Sequence, residues 1–181
     1  MPDLNHLLPE GSKIIHSAEA VAAAYDTMAQ ELNERYASAD SLLVLTIMNG
    51  AMLPAAELIS RLTMDVRMDY LHATRYHDEQ GGDRLRWLAT PRTQLAGERV
   101  LIVDDILDEG FTLDGVIRHC REAGAQDVST AVLVQKLHDR CLPGVEADVC
   151  GLTVPDVYVF GCGMDYRGRL RHLDAIYGLN A

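Results

Sequence analysis

Positive charge is scarce in this sequence. Lys and Arg together number 16, against 27 Asp and Glu, so the formal net charge at pH 7 is −11. Proteins that bind nucleic acids usually present a basic face, so this balance argues against RNA or DNA as the main partner. It does not exclude a small anionic ligand, because a local basic cluster can still bind a phosphate group.

Cysteines and long apolar runs are also scarce. The four cysteines, Cys120, Cys141, Cys150 and Cys162, have neither C-x-x-C nor zinc-type spacing, and we interpret them as free thiols of a reducing cytoplasm. The first residues, MPDLNHLLPEG, lack a basic segment followed by an apolar one, and no apolar run approaches the length of a membrane span. These absences predict a cytoplasmic protein without a membrane partner.

Apolar runs alternate along the chain with segments of helical periodicity. Residues 42–47, 99–103 and 128–136 are predicted strands that are covered on both faces. Apolar spacing predicts helices that are capped by Ser17 and by Thr112. Buried strands that alternate with amphipathic helices are typical of an α/β fold with an open, mostly parallel twisted sheet flanked by helices. The length of 181 residues favours a single domain.

Weaker patterns predict further elements. Pro54 suits the first turn of a helix that ends near Leu62. Residues 65–73 and 84–89 are predicted strands. Between them, the polar segment HDEQGGD at residues 77–83 has the paired glycines of a mobile loop.

Three polar segments follow the predicted parallel strands: MNGAM, DDILDEGFT and QKLHDR. Ligands of open α/β sheets bind outside the carboxyl ends of the strands. We therefore expect the three segments to lie together on one edge of the sheet.

The segment VLIVDDILDEGFTL, residues 100–113, begins as a strand and ends as an acidic turn. Gly110 permits close backbone approach, and the first N–H groups of the following helix, with the Thr112 hydroxyl, would form an anion site without a lysine. Asp104 and Asp105 could accept hydrogen bonds from vicinal hydroxyls or face a hydrated magnesium ion. The Walker A and G-x-G-x-x-G spacings are absent. The alternative is that these carboxylates are solvated charges that flank a helix.

This segment resembles the phosphoribosyl pyrophosphate motif of the type I phosphoribosyltransferases, in which two acids follow an apolar strand and an Asp precedes x-Gly-x-Thr. MNGAM resembles the short pyrophosphate loop of the hypoxanthine-guanine branch, DYLHATRY the strand leading into its mobile lid, and VPDVYVFGCGMDYRGRLRHL its base-binding segment. The resemblance covers roughly residues 42–177. It implies one domain over residues 1–181, with a core over about 17–150 and a small hood over about 151–181 to which the N-terminus contributes.

The resemblance implies a role for each matching residue. Asp104 and Asp105 would hold the ribose hydroxyls and, with Asp165, a magnesium ion. Asp108 would be the catalytic residue, a general base near the imidazole side of the purine. The residues that bind the 5-phosphate would be Asp108, Glu109, Gly110, Phe111 and Thr112.

The purine would be bound by three residues in this reading. Lys136 would donate to the 6-oxo group, Tyr158 would stack on the base, and the Val159 backbone would meet the 2-position. Each role has an ordinary structural alternative: Lys136 as a solvated lysine at a strand end, and Tyr158 as a core aromatic residue. Asp165 and Arg171 could likewise form a surface ion pair that contributes little to stability.

Pyrophosphate would meet Asn49, Gly50 and Arg171, and the peptide between Asn49 and Gly50 could be strained or cis. Arg75 and Tyr76 would belong to the lid, with Arg75 supplying a cation over the pyrophosphate.

The chain departs from the family pattern at the anion sites. Glu109 stands where threonine is more usual in this branch, so its carboxylate must point away from the phosphate. Phe111 replaces a frequent lysine, and Asn49 stands where some members have lysine, so both remove positive charge. Five histidines show no metal spacing and are assigned no role: His72, His77, His119, His138 and His172.

The resemblance implies a purine-salvage enzyme. It would transfer the 5-phosphoribosyl group from phosphoribosyl pyrophosphate to hypoxanthine or guanine, giving IMP or GMP and pyrophosphate, with Mg²⁺ as cofactor. It would be a cytoplasmic homo-oligomer, a dimer or a tetramer. Alternatives are a xanthine-preferring transferase and a non-catalytic nucleotide-sensing regulator that binds RNA, which the acidic charge disfavours. A magnesium phosphatase or phospho-acceptor domain would need a nucleophilic Asp after the first strand, and LLVLTIMNG has none.

Overall fold

The computed structural model describes residues 5–78 and 82–179, which contain one short 3-10 helix, nine strands and three α-helices. The 3-10 helix is Asn5–Leu7, and the α-helices are α1 (Ala18–Arg35), α2 (Met52–Ile59) and α3 (Phe111–Glu122). The strands are β1 (Ser12–His16), β2 (Ser41–Ile47), β3 (Asp65–Asp78), β4 (Gly82–Ala89), β5 (Arg99–Leu107), β6 (Asp127–Leu137), β7 (Val149–Pro155), β8 (Tyr158–Phe160) and β9 (Ile176–Leu179).

Two sheets organise the described residues. The six-stranded sheet has the order β4-β3-β2-β5-β6-β7, and every pairing in it is parallel except that of β3 with β4. This confirms the predicted α/β class with a mostly parallel sheet. The second sheet has the order β1-β9-β8 and joins the start of the chain to its last segment through antiparallel pairs such as Ser12 with Leu179.

The core forms where the sequence is continuously apolar. In β2, β5 and β6 most side chains are buried, including Leu43, Ile102 and Leu133 with none of their surface exposed. Each such side chain contributes roughly 1.5–3 kcal/mol of transfer free energy, because both faces of these strands are covered. Helix α1 lies against β7 and begins as predicted at Ser17, whose Oγ accepts a hydrogen bond from Ala20 N at 3.3 Å.

The start of α3 differs from the prediction. Thr112 does not cap this helix: α3 begins at Phe111, and its N-cap is Gly110, with φ of 82° and no side-chain capping bond. Glycine is needed there for two reasons. A positive φ is unfavourable for a residue that has a Cβ, and a Cβ at this position would lie 2.9 Å from Val145 Cγ1. The left-handed residue turns the chain into the helix earlier than a threonine cap would.

Strand β5 is longer than predicted. Its ladder with β6 continues through Asp104, paired with Val132, to Leu107, paired with Gln135. Asp104 and Asp105 therefore lie inside the strand rather than beyond its end. Helix α2 is shorter than predicted and ends at Ile59 instead of Leu62.

The predicted loop at residues 77–83 is mostly replaced by a hairpin. Strands β3 and β4 pair as far as Asp78 and Gly82, and residues 79–81 lie outside the described part of the chain. The hairpin packs on α3, where the rings of Trp87 and His119 are 4.7 Å apart. A Cβ on Gly115 of α3 would lie 2.1 Å from Leu85 Cδ1, so this glycine permits the close packing of hairpin and helix.

Strand β7 crosses the expected boundary between core and hood at residue 150, because all of Val149–Pro155 belongs to one strand paired with β6. The division into two parts remains a proposal, with its boundary better placed after Pro155. Among the described residues, no helix has both the length and the apolar character that crossing a membrane would require.

Candidate active site

A cavity of about 540 Å³ opens at the carboxyl ends of the central strands. Its walls are the turn after β2, the middle of β3, the segment from the end of β5 into α3, and two side chains of the C-terminal segment. The lining residues are 47–50, 72–74, 104–113, Asp165 and Arg171. Two of the three polar segments expected on one edge, MNGAM and DDILDEGFT, therefore line one cavity.

Asp104, which is buried, and Asp105, which is partly exposed, form a carboxylate pair that lines this cavity. Asp105 N donates to Asp104 Oδ1 and Ile106 N donates to Asp105 Oδ1, each at 2.9 Å. Burial raises the pKa of Asp104, which is 8% exposed, and the neighbouring charge of Asp105 raises it further. Burial also raises the pKa of Asp105, although Arg171 opposes this effect. A pair held in this way favours a cation or hydroxyl donors between its oxygens.

The turn after β2 lies directly against Asp105. A Cβ on Gly50 would be 1.9 Å from Asp105 Oδ2, so only glycine leaves room for this carboxylate. The peptide bond between Met48 and Asn49 is cis, one bond before the Asn49–Gly50 bond that the sequence suggested. Gly163 approaches from the other side, where its Cβ would lie 2.1 Å from Gly50 O.

The expected phosphate loop, residues 108–112, lies along the same cavity at the start of α3. Glu109 has its carboxylate 3.9 Å from Arg140 Nε, and its carbonyl oxygen accepts a hydrogen bond from Leu142 N at 2.9 Å. Arg140 in turn forms a bidentate pair with Asp156, with both distances 2.8 Å. Glu109 thus links the phosphate loop to the segment after β6.

Asp108 has a hydrogen-bond partner on each carboxylate oxygen. Lys136 Nζ donates to Oδ2 at 2.7 Å, and His138 Nε2 lies 2.5 Å from Oδ1. Burial alone would raise the pKa of Asp108, but the hydrogen bonds from Lys136 and His138 prevail and hold it below its ordinary value. Lys136 is therefore paired inside the site rather than solvated at a strand end.

Sequence reasoning missed His138. The side chain is 3% exposed, and its Nδ1 accepts a hydrogen bond from Arg140 N at 3.0 Å. A usable signal was present, because alternate residues of an extended chain point to the same side, so His138 follows Lys136 toward Asp108. Metal spacing was the wrong criterion for this histidine. His72 and Thr74 of β3 also line the cavity without having been predicted there.

The C-terminal segment contributes an ion pair with several supporting bonds. Arg171 Nη2 lies 2.6 Å from Asp165 Oδ1, and Nη1 donates to Gly163 O at 2.6 Å. Tyr158 OH donates to Asp165 O at 2.8 Å, although the Tyr158 side chain lies outside the cavity lining and the residue is 49% exposed. Val159 is buried beside it in β8. Asp165 and Arg171 are thus part of the cavity wall as well as partners of each other.

Arg75 and Tyr76 lie in β3, opposite Leu85 and Arg84 of β4, but their side chains lie outside the described part of the chain. Their expected place in a lid remains a prediction.

Within residues 5–78 and 82–179, no three His, Cys, Asp or Glu side chains converge as a ready-made metal site. The oxygen donors of Asp104 and Asp105 nevertheless fit magnesium, which usually keeps several waters and takes only one or two carboxylates plus substrate phosphates. Asp165 is already paired with Arg171 and would have to share its carboxylate.

The sequence and the fold are similar to those of known proteins. Residues 11–167 match the family described as phosphoribosyl transferase domain. The hypoxanthine-guanine phosphoribosyltransferase of Streptococcus pneumoniae is 30% identical over 165 residues, 91% of each chain, and that of Bacillus subtilis is 27% identical over the same length and shares. A variant of the hypoxanthine phosphoribosyltransferase of Trypanosoma cruzi, solved with the product IMP, superposes with a TM-score of 0.85 at 25% identity, over 96% of this chain and 94% of that one.

Proposed function

Because this chain belongs to the phosphoribosyl transferase family, we propose that it transfers the 5-phosphoribosyl group from phosphoribosyl pyrophosphate to hypoxanthine or guanine in purine salvage, giving IMP or GMP and pyrophosphate. One observation carries this proposal. The cavity is lined by the carboxylate pair of Asp104 and Asp105, by the N-terminus of α3 and by Asp108, to which Lys136 donates a hydrogen bond. These are the groups that ribose hydroxyls, a phosphate and a 6-oxopurine need.

The ribose is assigned to Asp104 and Asp105. Both residues line the cavity, and the Asp105 carboxylate lies against the turn at Gly50. Carboxylates accept hydrogen bonds from vicinal hydroxyls, and their charge also stabilises the positive charge that develops at the anomeric carbon as the leaving group departs.

The 5-phosphate is assigned to the loop of residues 108–112. This loop lies at the N-terminus of α3, where a helix exposes its first backbone N–H groups and its dipole favours an anion. Glu109 supports this assignment, because its carboxylate lies near Arg140 and leaves the backbone for the phosphate.

The purine is assigned to the Lys136 side of the cavity. Lysine is a donor only, so Lys136 can donate to a 6-oxo group but cannot form a hydrogen bond with the amino group of adenine, which is itself a donor. Asp108 would then accept the proton that the purine loses as its imidazole nitrogen bonds to the anomeric carbon. Tyr158 would stack on the base, and the Val159 backbone would meet the 2-position.

The pyrophosphate is assigned to Asn49, Gly50 and Arg171. Magnesium held by Asp104, Asp105 and Asp165 would neutralise part of the charge on the leaving pyrophosphate. Arg171 would turn part of its guanidinium from Asp165 to the pyrophosphate. The β3–β4 hairpin, including Arg75 and Tyr76, would cover the site and exclude water, which would otherwise compete as the nucleophile.

A homo-oligomer, dimer or tetramer, and a cytoplasmic location are part of the proposal. The location is supported by four free cysteines, which are typical of a reducing compartment.

The test combines the protein with phosphoribosyl pyrophosphate, Mg²⁺ and one purine base, and measures the mononucleotide formed. We expect product with hypoxanthine and guanine, and kcat/KM compared across hypoxanthine, guanine and xanthine assigns the preferred base. A clear preference for xanthine would replace the base named here. No product with any of the three bases, combined with tight binding of IMP or GMP, would favour the nucleotide-sensing alternative.

A further inference from the structure

His138 is the one buried imidazole in direct contact with Asp108 among the residues that the structure describes. Its two ring nitrogens have different partners: Nδ1 accepts the Arg140 backbone N–H at 3.0 Å, and Nε2 lies 2.5 Å from Asp108 Oδ1. A nitrogen that accepts a hydrogen bond carries no proton. In this geometry Nε2 is the nitrogen that donates to the carboxylate.

The ring is held firmly in this orientation. The Arg140 guanidinium is fixed by its bidentate pair with Asp156 and lies 3.9 Å from Glu109. Arg140, whose backbone N–H donates to His138, is thus held by Asp156 after β7 and by Glu109 of the phosphate loop. The carboxylate of Glu109, which the proposed phosphate site does not use, contributes to this anchoring.

We propose that His138 is a positioning residue for Asp108, holding Oδ1 so that Oδ2 is the oxygen that receives the purine proton. This inference rests on the proposed function. Lys136 holds Oδ2 at 2.7 Å, and in the reaction it shares its donors with the 6-oxo group, which opens Oδ2 toward the base. His138 stays on Oδ1 throughout and prevents the carboxylate from rotating.

The proton and electron balance of the step is simple. One imidazole nitrogen of the purine uses its electron pair to bond the anomeric carbon, while the bond from that carbon to pyrophosphate breaks and its electrons leave with the pyrophosphate. The proton on the other imidazole nitrogen passes to Asp108 Oδ2. His138 neither gains nor loses a proton.

A pair of substitutions separates the two hydrogen bonds of the ring. In His138→Gln the amide nitrogen can stand where Nε2 stands and donate to Asp108. In His138→Asn the amide oxygen can stand where Nδ1 stands and accept from Arg140, but the side chain is too short to reach Asp108. We expect the Gln variant to keep kcat within roughly threefold of the wild type, and the Asn variant to lose roughly 10- to 100-fold with an unchanged KM for phosphoribosyl pyrophosphate.

Three results would overturn the inference: an active Asn variant beside an inactive Gln variant, equal losses in both, or no loss in either. The first would mean that the ring only anchors Arg140. An inactive wild type would instead refute the proposed function and is seen before any variant is made.

A second measurement observes the ring in the unaltered protein and needs a variant only to assign its signal. Nitrogen-15 NMR of the histidine side chains reports which ring nitrogen carries the proton. We expect His138, identified by its absence from the spectrum of His138→Gln, to carry its ring proton on Nε2. A proton on Nδ1 would contradict the inference.

Discussion

At the scale of single residues, Asp108 shows how its neighbours set its strength as a base. The Lys136 and His138 hydrogen bonds keep its pKa low, so it is ionised at neutral pH but accepts a proton weakly. When Lys136 turns to a 6-oxo group, one cation leaves the carboxylate and its proton affinity rises. Binding of the correct base would thus activate the group that deprotonates it.

Replacing Asp108 by Asn tests this role. The amide cannot accept the purine proton, so we expect kcat to fall by roughly 10²- to 10⁴-fold while the KM for phosphoribosyl pyrophosphate changes little. Steady-state kinetics with hypoxanthine measure both constants. Asp139→Asn makes the same chemical change at an exposed position nearby and should leave them unaltered. A large rise in the KM for phosphoribosyl pyrophosphate would assign Asp108 to sugar-phosphate binding instead.

We expect the ionised Asp104 carboxylate to be needed for activity and to lower the stability of the folded protein. Its folded-state pKa is raised above the unfolded value, so the folded state binds more protons between those two pKa values and stability falls as the pH rises through that window. We expect Asp104→Asn to increase the free energy of unfolding at pH 7.5 by about 1–3 kcal/mol, because a buried charge is removed, and to lose activity.

Urea unfolding over a pH series from 7.5 downward measures this effect. The stability gained by the Asn variant should shrink as the pH falls toward the ordinary Asp pKa and should vanish below it, where Asp104 is protonated in both states. Asp139→Asn controls for the loss of one charge from a chain whose net charge is −11. An Asn variant less stable than the wild type at pH 7.5 would show that Asp104 is stabilised by its surroundings.

At the scale of elements, the helices and strands that a local sequence pattern specifies are predictable, and those that depend on distant contacts are not. The sequence predicts strands β2, β5 and β6 and helix α1 because each has an unbroken apolar pattern, and the apolar residues of that pattern are the ones that are buried. The start of α3 was misplaced because both Gly110 and Thr112 suit a helix start, and the choice depends on Val145, far along the chain. The sequence predicts a loop at residues 77–83 because this polar segment has no strand pattern, although the ends of β3 and β4 pair there.

The packing of this hairpin on α3 can be tested at Gly115. A Cβ there would meet Leu85 Cδ1 at 2.1 Å, and overpacking of this kind costs about 1–3 kcal/mol, against a gain of about 1 kcal/mol in helix propensity. We expect Gly115→Ala to lower the urea midpoint. Adding Leu85→Ala makes room for the methyl group, so the double variant should be more stable than the sum of the two single changes predicts. Strict additivity would mean that the hairpin does not press on the helix.

At the scale of the whole molecule, the site depends on contacts between distant parts of the chain. His138 meets Asp108 across 30 residues, and β1 pairs with β9 across most of the sequence. Local patterns carry no information about such pairs, so the sequence predicted which residues bear chemistry better than which of them touch. The family resemblance implied a base-binding role for the C-terminal segment, and only the structure showed that this segment reaches the cavity through Asp165 and Arg171.

The contact between Gly163 and Gly50 tests this dependence. Gly163 has φ of 101°, and a Cβ on it would lie 2.1 Å from Gly50 O, a backbone atom that a side-chain rotation cannot move. We expect Gly163→Ala to shift the C-terminal segment away from the turn at Gly50, lowering both the free energy of unfolding and, by roughly tenfold or more, kcat/KM for phosphoribosyl pyrophosphate.

Gly144→Ala is the matched control for this change. Gly144 has φ of 80° and nothing within 4 Å of its missing Cβ, so its substitution carries only the backbone cost of about 1–2 kcal/mol. Urea unfolding and steady-state kinetics on both variants separate that cost from the close approach. If Gly163→Ala lost no more activity than Gly144→Ala, the bonds within the C-terminal segment, such as those from Arg171 to Gly163 O and Asp165, would hold Asp165 and Arg171 in place without the contact at Gly50.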